Sequence, residues 1–175
     1  MYRGSSFLLQ KDYKVHAAAI RELMKEKYLC LWAIKCKKYL IEKDSLKLLF
    51  ELSNALEKIY HFIRISANLS IKREIPSNAV SEVLITKILM GTLGCVPAYD
   101  RYYNAGVRRY GVASGIFNPK SISELSRFYV ENEMFFEDWR ESISQGGIEY
   151  PQMKILDMCF WQTGYNLDKG ATTHD

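Results

Sequence analysis

Asp44-Ser45-Leu46-Lys47-Leu48-Leu49-Phe50-Glu51-Leu52-Ser53-Asn54-Ala55-Leu56-Glu57-Lys58-Ile59-Tyr60-His61-Phe62-Ile63 decides the fold class. Leu46, Leu49, Phe50, Leu52, Leu56, Ile59 and Ile63, with Ala67 beyond them, recur mostly at three- and four-residue steps. That spacing puts them on one stripe of an α-helix and leaves Lys, Glu, Ser and Asn on the other faces. Asp44-Ser45 offers an N-cap, so one long helix is expected, ending near Leu69.

Upstream, Val15, Ala18, Ala19, Leu23, Tyr28, Trp32 and Cys36 recur at three- to five-residue steps from Asp12 to about Tyr39. They predict an amphipathic helix with a break near Tyr28. Downstream, a third helix is expected from Asn78 to about Thr92. Gly94 and Pro97 then interrupt the pattern, and Asp100 caps a fourth helix from Arg101 to Tyr110 that stops at Gly111. Ser121-Ile122-Ser123-Glu124 reads as a capping box for a fifth helix reaching Ser144. Pro151 opens a last helix that carries Met153, Leu156, Phe160 and Trp161 inward and closes at Gly164.

No segment shows a sustained period of two, and no repeat is visible. The expectation is therefore all-α: a single domain over residues 1–175, a compact bundle of six or seven helices, with a frayed polar tail over 168–175. A chain of 175 residues with 48% apolar and 25% charged residues has the composition of an ordinary globular protein, long enough for one buried core.

The apolar stretches Tyr28 to Ile34 and Val83 to Val96 fall short of the roughly 20 residues that span a bilayer, and Lys87 interrupts the second. The first residues lack the apolar run of a secretory leader, so no membrane and a cytoplasmic location are expected. Cys30, Cys36, Cys95 and Cys159 form no CxxC or Cys/His cluster, so reduced thiols and no metal site are expected. No phosphate loop, nucleotide fingerprint or HExxH occurs, and no cofactor is expected.

Charge is unevenly spread. Residues 1–75 hold 15 Lys/Arg against 8 Asp/Glu, a net +7; residues 76–175 hold 9 against 12, a net −3; together they make the +4 of the whole chain. Lys35, Lys37 and Lys38, with Lys43 and Lys47, cluster around Tyr39 and could meet phosphates without reading sequence. Tyr99, Arg101, Tyr102, Tyr103, Arg108, Arg109 and Tyr110 interleave aromatic planes with fixed positive charge. That pairing suits stacking on bases and gripping phosphate, and it equally suits a protein interface. The binding residues expected are Tyr99, Arg101, Tyr102, Arg108, Arg109, Lys35, Lys37 and Lys38.

Leu89-Met90-Gly91-Thr92-Leu93-Gly94-Cys95-Val96-Pro97-Ala98-Tyr99-Asp100-Arg101 resembles part of the helix-hairpin-helix DNA glycosylase superfamily, in which an apolar helix leads through a proline turn to a capping aspartate and an arginine-bearing helix. The likeness spans about residues 80–111. It departs at Ile75-Pro76-Ser77-Asn78-Ala79-Val80, where the Gly-x-Gly hairpin is missing. The resemblance implies that Asp100 would stabilise positive charge on a sugar as its base departs; read as a helix cap, it would do no chemistry. In general character the chain is also similar to small inhibitors and accessory factors of phages and mobile elements, anti-CRISPR proteins among them.

With no compact catalytic signature, the expectation is a non-enzymatic binder of nucleic acid or of a nucleoprotein, with a protein partner as a variant of the same role. The alternatives are a glycosylase-like enzyme acting through Asp100 and a structural homo-oligomer, the latter signalled by a large exposed apolar patch.

Overall fold

The computed structural model describes Leu8 and residues 12–71, 80–144 and 146–172, with side chains throughout except at 67–71 and 171–172. Helix makes up 76% of it, so the all-α expectation holds, and no strand occurs among the described residues. Among the described residues eight α-helices follow one another: α1 Ala17–Leu23, α2 Cys36–Ile41, α3 Lys43–Ile71, α4 Glu82–Thr92, α5 Arg101–Arg109, α6 Pro119–Glu131, α7 Glu133–Ile143 and α8 Gln152–Thr172. Short 3-10 turns at Tyr13–His16 and Glu26–Leu31 flank α1.

α3 is the long helix its periodicity demands. Leu49, Leu52, Leu56 and Tyr60 are buried, and Leu46, Phe50, Ile59 and Ile63 pack partly buried at the margins of the same core. A fully buried leucine contributes about 1.5–3 kcal/mol, so this stripe alone orients the helix. The cap differs from expectation: α3 begins at Lys43, and Ser45 turns inward with its hydroxyl 3.2 Å from Glu42 Oε2.

The helix expected from Asp12 to Tyr39 does break at Tyr28, within the 3-10 turn Glu26–Leu31, and it is divided further than expected, into two 3-10 turns, α1 and α2. Tertiary packing overrides the local pattern, because Tyr28 and Leu31 are driven fully into the core. Ala33, held at φ 46°, donates its amide to the Leu93 carbonyl (2.7 Å) at the end of α4. That carbonyl would otherwise be an unpaired helix-end acceptor.

α4 ends at Thr92 as expected but starts at Glu82; Asn78 lies outside the described residues. The helix expected over Ile122–Ser144 is two helices meeting at Asn132, and Asn118, not Ser121, is the cap of α6, accepting from the Ser121 amide at 2.8 Å. Pro119 fills the first turn, where its missing amide costs nothing.

Gly164 does not close the last helix. α8 runs on to Thr172, so residues 168–172 are helical where a frayed tail was expected; 173–175 lie outside the described residues. The reason lies in how α5 packs on α8. A Cβ at Gly106 would lie 1.9 Å from the Phe160 carbonyl oxygen, and one at Gly164 would lie 1.9 Å from that of Tyr102. Each glycine faces the backbone of the other helix in antiparallel order, 106 opposite 160 and 102 opposite 164, and lets the helices touch backbone to backbone. Gly164 is thus a packing residue, and neither position admits a side chain.

Candidate functional site

The segment joining α4 to α5 is pinned before any functional residue is reached. Gly94, at φ 64°, presses on Pro151 closely enough that a Cβ would lie 2.3 Å from the proline Cγ. Tyr39 donates its hydroxyl to the Cys95 carbonyl (2.9 Å), the Ala98 amide donates to Asp157 Oδ1 (2.9 Å), and the Tyr99 amide donates to Thr86 Oγ1 (3.2 Å). Asp100 therefore emerges from a rigid support.

Its carboxylate has two partners. Oδ1 accepts from the Tyr103 amide (3.1 Å), the helix cap that the sequence predicts; Oδ2 lies 3.0 Å from Lys87 Nζ on α4. A negative group here also meets the positive end of the α5 dipole. A second pair stands nearby on α8, where Lys154 Nζ is 2.9 Å from Oδ2 of buried Asp157. Both pairs line a cleft of about 780 Å3 with Met90, Trp139, Trp161 and Asn166. Ligand pockets commonly fall in this size range.

Beyond Trp161 the surface becomes an aromatic platform. Trp161 and Tyr165, one helical turn apart on α8, stack at 5.2 Å with an 11° interplanar angle. Tyr102 from α5 meets both edge-on, at 5.3 and 5.5 Å. The Arg101 guanidinium lies 4.6 Å above the Tyr102 ring and donates to Asp168 Oδ2 (3.1 Å), while Lys169 Nζ sits 4.8 Å over Tyr165. Cation–π contacts of this kind hold long basic side chains in place while their charge stays at the surface.

The residues expected to bind from sequence are dispersed by the fold. Arg101 and Tyr102 join the platform. Tyr99 is a correction: it is 1% exposed, shares a 2.8 Å hydrogen bond with Ser121 Oγ, and packs on Tyr103 and Phe117, so it is core. Arg108 is exposed but bound inward, donating from Nε to the Ser114 carbonyl (2.8 Å); Arg109 is exposed on the last turn of α5.

Lys35, Lys37 and Lys38 are exposed around the start of α2, with Lys38 3.9 Å from Glu42. They sit at the far end of α8 from Arg101. The Cys36 amide donates to Gln152 at the first turn of α8, whereas Arg101 meets Asp168, which is roughly 24 Å further along at 1.5 Å per residue.

Several site residues escaped the sequence reading: Lys87, Trp139, Lys154, Asp157, Tyr165 and Lys169, and Trp161, expected to turn inward, is half-buried and lines the cleft. Two signals could have found some of them. Trp161, Tyr165 and Lys169 repeat at four-residue steps and share a helix face, and Asp157 is a carboxylate embedded between buried Leu156 and Phe160.

Burial pushes the Cys95 thiol up to about 12 and raises Cys36 further, so neither is a nucleophile at neutral pH. Among the described residues no group of three or more His, Cys, Asp or Glu is placed to hold a metal ion, and no helix is long and apolar enough to cross a membrane. Comparison with family models, curated proteins and solved structures finds no match for the chain.

Proposed function

We propose that this chain is a nucleic-acid-binding protein that holds an exposed single strand, free or within a nucleoprotein, on the face built by α5 and the second half of α8. The observation that carries this reading is the Trp161–Tyr165 stack with Tyr102 against it, flanked by the cations of Arg101 and Lys169. Bases stack on aromatic planes whatever their sequence, and flanking cations meet the phosphates.

Arg101 is held at the first position of α5 by its ion pair with Asp168 and by the Tyr102 ring, which keeps its guanidinium at the edge of the aromatic stack. The test is a titration of a fluorescent single-stranded oligonucleotide into wild type and into Arg101→Glu/Lys169→Glu. The wild type binds with an affinity that falls steeply with salt, and the double variant binds weakly. Equal binding by both, at unchanged helix content, rejects the face.

One observation favours a second reading, a glycosylase-like enzyme: Asp100 lines a cleft large enough for a base, beside Lys87. Against it, the carboxylate already caps α5 and pairs with that lysine, and the two lysines of the cleft are matched by two aspartates. Release of a damaged or mismatched base by wild type, lost in Asp100→Asn with oligonucleotide affinity intact, would put the enzyme first.

A further inference from the structure

A smaller pocket of about 290 Å3 lies on the other flank of α4, lined by Ala19, Ile20, Leu23, Leu84 and Ile88, with His16 Nδ1 and the Tyr60 hydroxyl 2.8 Å apart at its edge. Lys87 and Gly91 line both this pocket and the 780 Å3 cleft. They stand one turn apart on α4, so a low ridge of that helix separates the two hollows.

Gly91 is the residue of the ridge without a side chain. It is the last but one of α4, where glycine still costs backbone entropy relative to alanine. At Gly106 and Gly164 the fold explains that cost by backbone contact, but a Cβ at Gly91 would meet nothing within 4 Å, and its backbone does not have a positive φ. Packing gives no reason for glycine here. What its absent side chain does is leave a notch between the apolar pocket and the mixed cleft.

We propose that the two hollows form one bipartite site for an amphipathic small molecule, its hydrocarbon tail in the α1/α3/α4 pocket and its uncharged polar head in the cleft. The tail assignment follows from the aliphatic lining. The head assignment follows from the charges: Lys87 is paired with Asp100 at 3.0 Å and Lys154 with Asp157 at 2.9 Å. A charged head would have to displace one partner and leave its carboxylate or ammonium uncompensated in a recess. An uncharged head needs no exchange, since Thr163 and Asn166 line the cleft with groups that can still hydrogen-bond.

Calorimetric titration of the full chain with three probes sharing one tail, each below its micelle concentration, tests this. Monodecanoylglycerol is expected to bind saturably, and decanoate and decyltrimethylammonium about tenfold or more weaker. Gly91→Trp, which fills the notch, and Ile20→Glu, which charges the pocket at a residue already 54% exposed, should each weaken monodecanoylglycerol about tenfold or more with the melting temperature held. No saturable binding of monodecanoylglycerol, or undiminished binding by both variants, overturns the site. Ionic probes binding as tightly as the uncharged one overturn the head assignment.

Discussion

The two ends of α8 treat their polar residues in opposite ways. At the first turn Gln152 faces inward, accepting from the Cys36 amide (2.8 Å) and donating to Glu137 Oε1 (2.6 Å). Glu137 in turn accepts from Tyr129 (2.9 Å) and from Arg140 Nε (2.7 Å). Gln152 and Tyr129 thereby tie α8 and α6 to α7, and Arg140 braces the shared carboxylate from its own helix. Past Gly164 the same helix carries Tyr165, Asp168 and Lys169 at the surface, where α5 meets them through Arg101 and Tyr102. The inward bonds specify the fold; the groups past Gly164 are paired as well, but they stand at the surface around aromatic rings, where a ligand can reach them. Between the two ends lies the glycine contact that makes both depend on one geometry.

Changes at that contact should have the largest effect. Gly106→Ala or Gly164→Ala would put a methyl against a backbone carbonyl oxygen, and each should cost about 3 kcal/mol or more, read as the midpoint of urea unfolding. Gly170→Ala, in the same helix but with open space around its Cβ, should instead raise stability by about 0.5–1 kcal/mol.

Glu137→Ala strikes the inward end and should cost about 2–3 kcal/mol, since it strands the partners Tyr129, Arg140 and Gln152. Burial pushes the Glu137 carboxyl up, but the bonds from Arg140, Gln152 and Tyr129 together outweigh it and hold it below its usual 4.5. Its contribution is therefore complete above that pH and fades as pH falls through the lower folded value. Thermal melts across acid pH should show this loss in wild type and a flatter profile in Glu137→Gln.

Asp100→Asn keeps the capping oxygen and loses the charge toward Lys87 and the dipole. Unfolding should show a loss of a few tenths to about 1 kcal/mol, and oligonucleotide affinity should be unchanged. The smallest effect on stability belongs to Lys35→Glu/Lys37→Glu/Lys38→Glu, within about 0.5 kcal/mol by the same assay. This triple variant should lower the salt dependence of oligonucleotide binding, because the lysines supply charge without stacking. If it weakens binding more than Arg101→Glu/Lys169→Glu does, the outward end of α8 is not the principal contact.

The sequence made the helical class, the α3 stripe and the Asp100 cap legible, because each follows from local spacing and backbone chemistry. What it concealed depends on partners distant in sequence. Gly164 looks like a terminator until Tyr102 is seen against it. Tyr99 and Tyr102 look equivalent until Ser121 and Phe117 enclose one of them. Asp12 to Tyr39 looks like helix with one break near Tyr28 until Tyr28, Leu31 and Ala33 find places that divide it further. The site suffered most: Lys87 and Asp100 are 13 residues apart, Arg101 and Asp168 are 67 apart, and no periodicity links them.

Stacking of bases on the α5/α8 platform would be read directly by tryptophan emission. With Trp32 and Trp139 replaced by Phe, Trp161 is the sole indole. Titration with a single-stranded oligonucleotide should then quench its emission in step with binding measured by anisotropy, and Tyr102→Ala/Tyr165→Ala should weaken both signals together, by roughly 1–3 kcal/mol per lost stack. Saturable oligonucleotide binding that leaves Trp161 emission unchanged would contradict the account.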